Sequence, residues 1–557
     1  MTVKLFYHNT RIFIFVNFSF SKGGAIFWNG LDGNLTGCTF INNTANRGGA
    51  VYWNADNGFL YSSKFICNNA SLNGGYGSGD GGGVYWIGSN GILTDCTFIN
   101  GLAYWSGAGV TWDGNSGIMV DCTFSGNTAR YGSAVCWRTI NSSLNRVNFT
   151  ENTAYSGGGA IYWQSVNSTI NNCNFTNNHA INGDNVYWRW TVEDFLNKYS
   201  QINDHDYVWI YNGVGTPNST IILNKKGITI SSQGNVIFDA KGRNVHFEVT
   251  GDNILIEKIT FRNFNFTSKG GVILWNGING ILRNCNFINN TGLYGGAICW
   301  YGYGGNILYS SFNNNKASWG GAIILYGANC NLSGSTFTNN IATSYGAGIH
   351  WAGANGTLTN STFTGNTANI GGAVNWYNDN GTLSDSKFTD NTAKYGGAFM
   401  CYGDNVTLSA STFTNNSGIA GGAVCWYSGA INGILTSSTF TKNIGDYGGA
   451  VRWFEADGVI VDSTFTGNIA NNHGGAIYGD TSTYIVNCSF INSKSEQSNG
   501  IYTNNILNIK GGKGIVHIFT QGTLTGASIV VLNNETYYYP PNSNINLPNK
   551  TEDKKNR

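Results

Sequence analysis

The sequence predicts an all-β protein, a right-handed parallel β-helix solenoid with about 25 residues per coil, and three observations predict it. A Phe recurs in a short strand-like run at Phe40, Phe65, Phe98, Phe124, Phe149 and Phe175. The series resumes at Phe287, Phe312, Phe337, Phe363, Phe388, Phe413, Phe440, Phe465 and Phe490, in steps of 25 to 27 residues apart from one of 33. The order inside each unit is constant: residues 361–376 read S-T-F-T-G-N-T-A-N-I-G-G-A-V-N-W. Finally, no unit carries the 3.6-residue apolar period of a helical repeat.

Each unit reads as three short strands separated by three turns. After the Trp comes a turn, often Asn-Gly (Asn90-Gly91, Asn355-Gly356, Asn380-Gly381), and then a strand such as Thr357–Thr359. Gly and Asn tolerate the positive φ of tight turns. The long step between Phe65 and Phe98 is explained by a Gly-rich insertion at Asn73–Asp80. Strand alternation assigns the interior. Ser361 and Phe363 share one face, as do Val374 and Trp376. Asn375 and its variable equivalents (Tyr52, Tyr85, Thr111, Cys136, His350, Arg452) are expected outside. Stacked coils place like over like, so Phe and Val/Ile columns form the core. The Asn three residues after each Phe (Asn43, Asn127, Asn152, Asn178, Asn290, Asn366, Asn391, Asn416) forms an amide ladder.

The repeat stops after Trp188 and restarts near Gly270. Thr191–Tyr199 reads as a short helix with Thr191 as N-cap and Asp194 in the third helical position. The chain therefore divides into a β-helical segment at 1–190, a cap helix and plain coils at 191–265, a second β-helical segment at 266–510, and non-repeat strands with a polar tail at 511–557. The first segment has no comparable cap. Ile12–Phe20 is the best match to an export-signal core, and the alternative is that the chain begins inside a repeat.

The paired motifs G-G-A-[IV] (Gly48–Val51, Gly371–Val374, Gly474–Ile477) and F-x-x-N (Phe40–Asn43, Phe363–Asn366) resemble the repeats of chlamydial polymorphic outer membrane proteins. The Asn/Thr-rich style and the internal cap resemble the adhesin-like surface proteins of methanogenic archaea. These resemblances imply a cell-envelope or secreted location and an adhesive role. Neither a terminal autotransporter barrel nor a wall-anchoring module is recognisable in these 557 residues.

Composition narrows the function. Charged residues make up 11% of the chain and the formal net charge is +1, which gives no electrostatic case for nucleic acid. No apolar run is long enough to span a bilayer, and no cofactor motif is present. Aromatic residues reach 14%. Trp28, Trp53, Trp86, Trp112, Trp137, Trp163 and Trp188 form one column, and Trp275, Trp300, Trp351, Trp376, Trp426 and Trp453 another. Parity and the replacements Leu325 and Cys401 favour a buried column; a kink at Trp would instead expose a stacking ladder for sugar rings. The neighbouring outward set Phe27, Tyr52, Tyr85, Tyr162 and Tyr187 is the candidate glycan-binding surface in either case.

Six cysteines (Cys38, Cys96, Cys122, Cys173, Cys285, Cys488) fill a small inward slot otherwise held by Ser. Cys96 and Cys122, on adjacent coils, are within disulfide reach. Asp95 and Asp121 stack on adjacent coils and are the weak metal or catalytic candidates, with no Arg, Lys or His at equivalent positions. Asp385 and Asp462 hold that slot alone. His473 reads as an exposed turn residue. Sequons such as Asn34, Asn148, Asn360 and Asn405 follow from an Asn/Thr-rich composition. The function expected is a noncatalytic cell-surface or secreted adhesin-like scaffold, binding glycans or host or neighbouring cell surfaces. The alternative is a carbohydrate-active β-helix enzyme, a polysaccharide lyase or glycosidase.

Overall fold

The computed structural model describes residues 14–503, with gaps at 17–18, 72–78, 165–167, 428, 455–457, 481–482 and 497, and backbone strands within 507–545. The insertion at Asn73–Asp80 therefore lies outside the described residues, except for Gly79 and Asp80. The same holds for the polar tail, except for Asn544–Ile545. Two compact units are found. One comprises residues 1–215 and 225–236, the other residues 216–224 and 237–557.

Both units are parallel β-helices. In the first unit one coil runs from a Phe strand (Thr39–Ile41) through a short strand (Thr44–Arg47) to a Gly48-Gly49 corner. It continues through Val51–Trp53 and a turn to Phe59–Tyr61. Each coil of the first unit thus holds four short strands rather than the three expected, whereas in the second unit coils such as Thr357–Thr359, Thr362–Thr364 and Val374–Trp376 hold three. The fourth, exemplified by Thr44–Arg47, carries only one inward apolar residue, Ala45, and so lacks a strand-like pattern in sequence. Seven Phe strands pair in one parallel sheet, and neighbouring coils are in strict register, Phe40 with Phe65 and Trp53 with Trp86. Ile14–Val16, inside the stretch weighed as an export signal, pairs with Thr39–Ile41 as a coil strand. In the second unit the strands equivalent to Val374–Trp376 pair in a 15-stranded sheet.

Stacked columns fill both interiors. Successive Phe rings lie parallel, with Phe363 and Phe388 centred 4.8 Å apart. The Trp column is buried, with Trp53 stacked 4.5 Å from Trp86 and Trp351 4.5 Å from Trp376. The Asn-Gly turn divides its labour. Asn355 takes the positive φ (55°), while Gly356 lets the backbone touch the indole, since a Cβ there would sit 2.3 Å from Trp351 Nε1. The Asn ladder is buried, and it runs unbroken from Asn290 to Asn468, while in the first unit Gly101 interrupts it between Asn68 and Asn127. Asn366 Nδ2 donates to Asn391 Oδ1 on the next coil (2.9 Å) and to the Phe337 carbonyl (3.0 Å).

Val192–Lys198 is helical, with the reciprocal Thr191–Asp194 capping box that the sequence predicts. The helix falls in the first unit, where its buried Phe195 lies 6.5 Å from Trp190. In the second unit, Val516–Thr520 and Ile529–Leu532 form the strands expected beyond the repeat.

Candidate functional site

The middle residue of each Val-x-Trp strand points out of the coil, as parity requires, yet on most coils it is buried. The Gly-Gly corner folds the preceding strand back beside it. The residue before the corner then covers one flank and the residue after the Trp covers the other. Lys22 lies over the Tyr52 ring and Arg47 over Tyr85, each at 5.2 Å, and Tyr85 Oη donates to Asp113 Oδ2 at 2.5 Å. This corrects the accessibility expected of the candidate glycan-binding set. Tyr52 (3% exposed), Tyr85 and Tyr187 are buried, Tyr162 is half-buried, and only Phe27 (38%) is exposed. Asn375 is likewise buried, with Nδ2 at 2.8 Å from His350 Nδ1. Burial and the Asp113 charge hold the Tyr85 phenol well above its ordinary pKa.

The set forms two stacks. Phe27, Tyr52 and Tyr85 follow one another at 5.2 and 5.3 Å, and Tyr162, Tyr187 and Tyr207 at 5.0 and 4.8 Å. Between them Thr111 and Cys136 occupy the aromatic position on two successive coils. The missing rings leave a cleft of about 330 Å³ lined by Asp80, Trp105, Ser106, Tyr131, Cys136, Arg138, Tyr162 and Gln164. Its polar wall is built. Asp80 Oδ1 accepts from Ser106 Oγ (2.5 Å) and from Arg138 Nη2 (2.9 Å), which also reaches Ser106 Oγ at 2.6 Å. Asp80 and Ser106 are buried, while the Arg138 side chain is partly exposed. Arg138 Nη1 stands 3.6 Å from Asp113 Oδ1, an ion pair without a hydrogen bond. Gln164 Nε2 donates to Tyr162 Oη at 3.0 Å, and the Arg130 guanidinium lies over Trp105 at 4.7 Å.

The second unit has a different surface column. The residue after each Trp or its replacement is aromatic on most coils: Tyr301, Tyr326, Tyr377, Tyr402, Tyr427 and Phe454. Tyr301–Tyr326, Tyr377–Tyr402, Tyr402–Tyr427 and Tyr427–Phe454 are centred 4.6, 5.7, 5.1 and 5.2 Å apart. Tyr377, on the coil next to the break at Ala352, is 59% exposed, and Tyr427 is exposed two coils further on. Sequence reasoning passed over this column, although counting one residue past each Trp finds it. Beneath it Arg452 pairs with Asp480 (3.0 Å) and lies 4.8 Å from the Tyr478 ring centre.

The remaining candidates are placed as follows. Asp95 and Asp121 occupy exposed turns at φ 53° and 54°, and the next residue in that column is Arg146, which the sequence reading overlooked. Its guanidinium takes both oxygens of Asp121 (2.7 and 2.8 Å) and holds that carboxyl below the usual range. Among the described residues no three His, Cys, Asp or Glu converge as a metal site. Cys96 and Cys122 form no disulfide, and their thiols donate to the Thr94 and Val120 carbonyls at 3.2 Å. His473 is not an exposed turn residue: it ends the strand Ile469–His473, half-buried and 4.5 Å from the Tyr502 ring. No helix among the described residues is long and apolar enough to cross a membrane.

A family model for the right-handed β-helix region matches residues 295–453, and one for the Chlamydia polymorphic membrane protein repeat matches residues 37–52, 146–162 and 462–480. Among curated proteins no sequence matches. Two similar solved structures are the alginate lyase AlyF-OU02 in complex with G6 and a PL6 alginate lyase complex with trisaccharide. The first is 13% identical, covers 64% of this chain and 90% of the other, and has a TM-score of 0.35. The second is 11% identical, with 64% and 92% covered and a TM-score of 0.34. Both likenesses are too distant to bear on function. The chain is a right-handed parallel β-helix that carries repeats of the polymorphic membrane protein type.

Proposed function

We propose that the protein is a noncatalytic adhesin-like scaffold, at the cell surface or secreted, that binds glycans or other surfaces through side-chain columns running along its coils. The observation that carries this reading is the aromatic column Tyr377–Tyr402–Tyr427–Phe454, set on coils of otherwise uniform interior. Sugar rings stack on aromatic side chains at modest energy per ring. Several coils acting on one polymer raise the avidity without any single strong site. The Phe27/Tyr52/Tyr85/Tyr162/Tyr187 set contributes chiefly at Phe27 and Tyr162, which retain exposure.

The second reading, a carbohydrate-active enzyme, draws on Arg138 beside Asp80 and Asp113. Against it, Asp80 Oδ1 is already engaged by Ser106 and Arg138. A glycan array followed by hydrolysis and lyase assays on every hit decides between the two. Binding without turnover supports the scaffold, turnover supports the enzyme, and an array with no hits removes the glycan reading.

A further inference from the structure

We infer that the break in the buried tyrosine stack of the first unit is a binding site for one pyranose ring of a neutral glycan. This rests on the glycan-binding reading above and adds a place and a ligand class to it. The coils themselves supply the template. Where Tyr85 and Tyr162 stand, the space beside the Gly corner is filled by a six-membered ring; at Thr111 and Cys136, both buried, no ring stands, and a cleft opens beside Cys136. Its walls are aromatic, with Trp105, Tyr131 and Tyr162 offering ring surface to the apolar face of a sugar. Its polar side is preorganised, because Arg138 is fixed by Asp80 and Ser106 before any ligand arrives. The exposed part of Arg138 and the amide of Gln164 offer hydrogen bonds to ring hydroxyls. Such a small apolar cleft with a few placed polar groups is the usual form of a small-ligand site.

Charge selects the ligand class. Arg138 stands between the carboxylates of Asp80 and Asp113, and Arg47 and Arg130 lie nearby over Tyr85 and Trp105. A uronate would meet Asp80 and Asp113, and a cationic ligand would meet Arg138. An uncharged, hydroxyl-rich ring meets neither penalty, and its hydroxyls both donate and accept.

The test titrates the full chain with cellohexaose, mannohexaose and β-1,4-galactohexaose, and with hexaguluronate as the acidic control, reading Trp fluorescence and calorimetric heat. Binding of at least one neutral hexamer is expected, with hexaguluronate at least about tenfold weaker. Cys136→Tyr, which restores the ring that other coils carry, should weaken that binding at least about tenfold, and Gln164→Ala about threefold. Gln164 lies at the rim, so its variant serves if Cys136→Tyr lowers the melting temperature. Neutral-hexamer binding unchanged in both variants overturns this site while leaving a glycan-binding scaffold standing. Preference for hexaguluronate overturns the ligand class. Failure of all four sugars overturns the site, and the array decides separately whether the wider reading falls with it.

Discussion

Replacing Asn366 tests whether the amide ladder or the aromatic core locks the coils. Asn366 is buried, and its side chain serves three coils. Its Oδ1 accepts from the backbone N–H and from Nδ2 of Asn340, both at 3.0 Å. Its Nδ2 donates to the Phe337 carbonyl and to Asn391 Oδ1. Truncation to Ala leaves the Asn340 amide N–H, one Asn340 Nδ2 hydrogen and the Phe337 carbonyl without these partners. A buried polar group left unmatched costs roughly 1–3 kcal/mol, so partial relaxation places the loss at about 3–6 kcal/mol. Asn366→Asp preserves volume, which would make it mild if packing decided. It instead sets a carboxylate oxygen against two acceptors, the Phe337 carbonyl and Asn391 Oδ1, and should cost at least as much as Ala at pH 7. Native-state hydrogen exchange at the amides of Asn340, Asn366 and Asn391 reads the local loss, which suits a solenoid held by nearest-neighbour contacts. A loss below about 1 kcal/mol in the Ala variant, or an Asp variant milder than Ala, would refute the ladder argument.

Asn375→Ala should cost about 1–3 kcal/mol, because it strips the partner from buried His350, whereas Phe363→Ala should cost about 3–5 kcal/mol through its cavity; chemical denaturation of the two variants compares them. Burial depresses the His350 pKa from 6.5 to about 4. Its folded value lies below its unfolded one, so up to about 3 kcal/mol of local stability is lost as the pH falls from about 6.5 through 4. Asp206 behaves oppositely. Burial pushes it from 3.8 up to about 7 despite hydrogen bonds from Trp188 Nε1, Val186 N and Asn203 N, so its contribution is full below about pH 4 and lost as the pH rises through 7. Hydrogen exchange at pH 4, 6 and 8 should therefore show opposite trends around His350 and Asp206; weakening toward pH 8 at both would refute the His350 assignment, and weakening toward pH 4 at both the Asp206 one. Tyr377→Ala with Tyr427→Ala should weaken binding to an array-identified glycan about tenfold at an unchanged melting temperature, while Tyr52→Ala with Tyr85→Ala should lower the melting temperature; glycan affinity unchanged by the first pair would remove the surface-column reading.

Inward columns were legible in the sequence because each repeats one residue type at one period. The Phe series, the Trp series and the Asn ladder all appear in the structure at the register the spacing implies. The residue between Val and Trp was legible only by half. Alternation gives its direction correctly, but its burial depends on a corner made of Gly48 and Gly49 and on covering residues such as Arg47 that share no type from coil to coil. The Asp80–Arg138 pair was hidden for a related reason. The two residues are 58 apart and meet only because columns on either side of the tyrosine stack lean toward it. The usable signal was positional: counting back one residue from each Gly corner gives Arg47, Asp80, Ser106 and Tyr131, which the structure joins coil to coil. Arg146 stands three residues before Phe149 as Asp121 stands three before Phe124, so its place in that column is legible from the distance to the Phe strand and not from residue type.

A solenoid of this kind offers ring faces where a column breaks or where its rings tilt away from one another. Where two rings of a column lie parallel each covers the face of the next, as Tyr301 and Tyr326 do at 4.6 Å and 10°, whereas Tyr377, Tyr402 and Tyr427 are tilted by 44° and 50° and leave part of their faces open. Stacking needs a face, and faces open where the repeat substitutes something small. The first unit does this at Thr111 and Cys136, inside a corner that already holds Arg138 and Asp80. The second does it at Ala352, next to the most exposed member of its column, Tyr377. The two breaks offer different chemistry, one an apolar cleft with a paired Arg138–Asp80 wall, the other beside an exposed ring. They arise from the same operation on the sequence: a coil keeps its Phe and inward Val/Ile and Trp residues or their apolar replacements, which preserves the stack, and changes one outward residue, which the stack does not need.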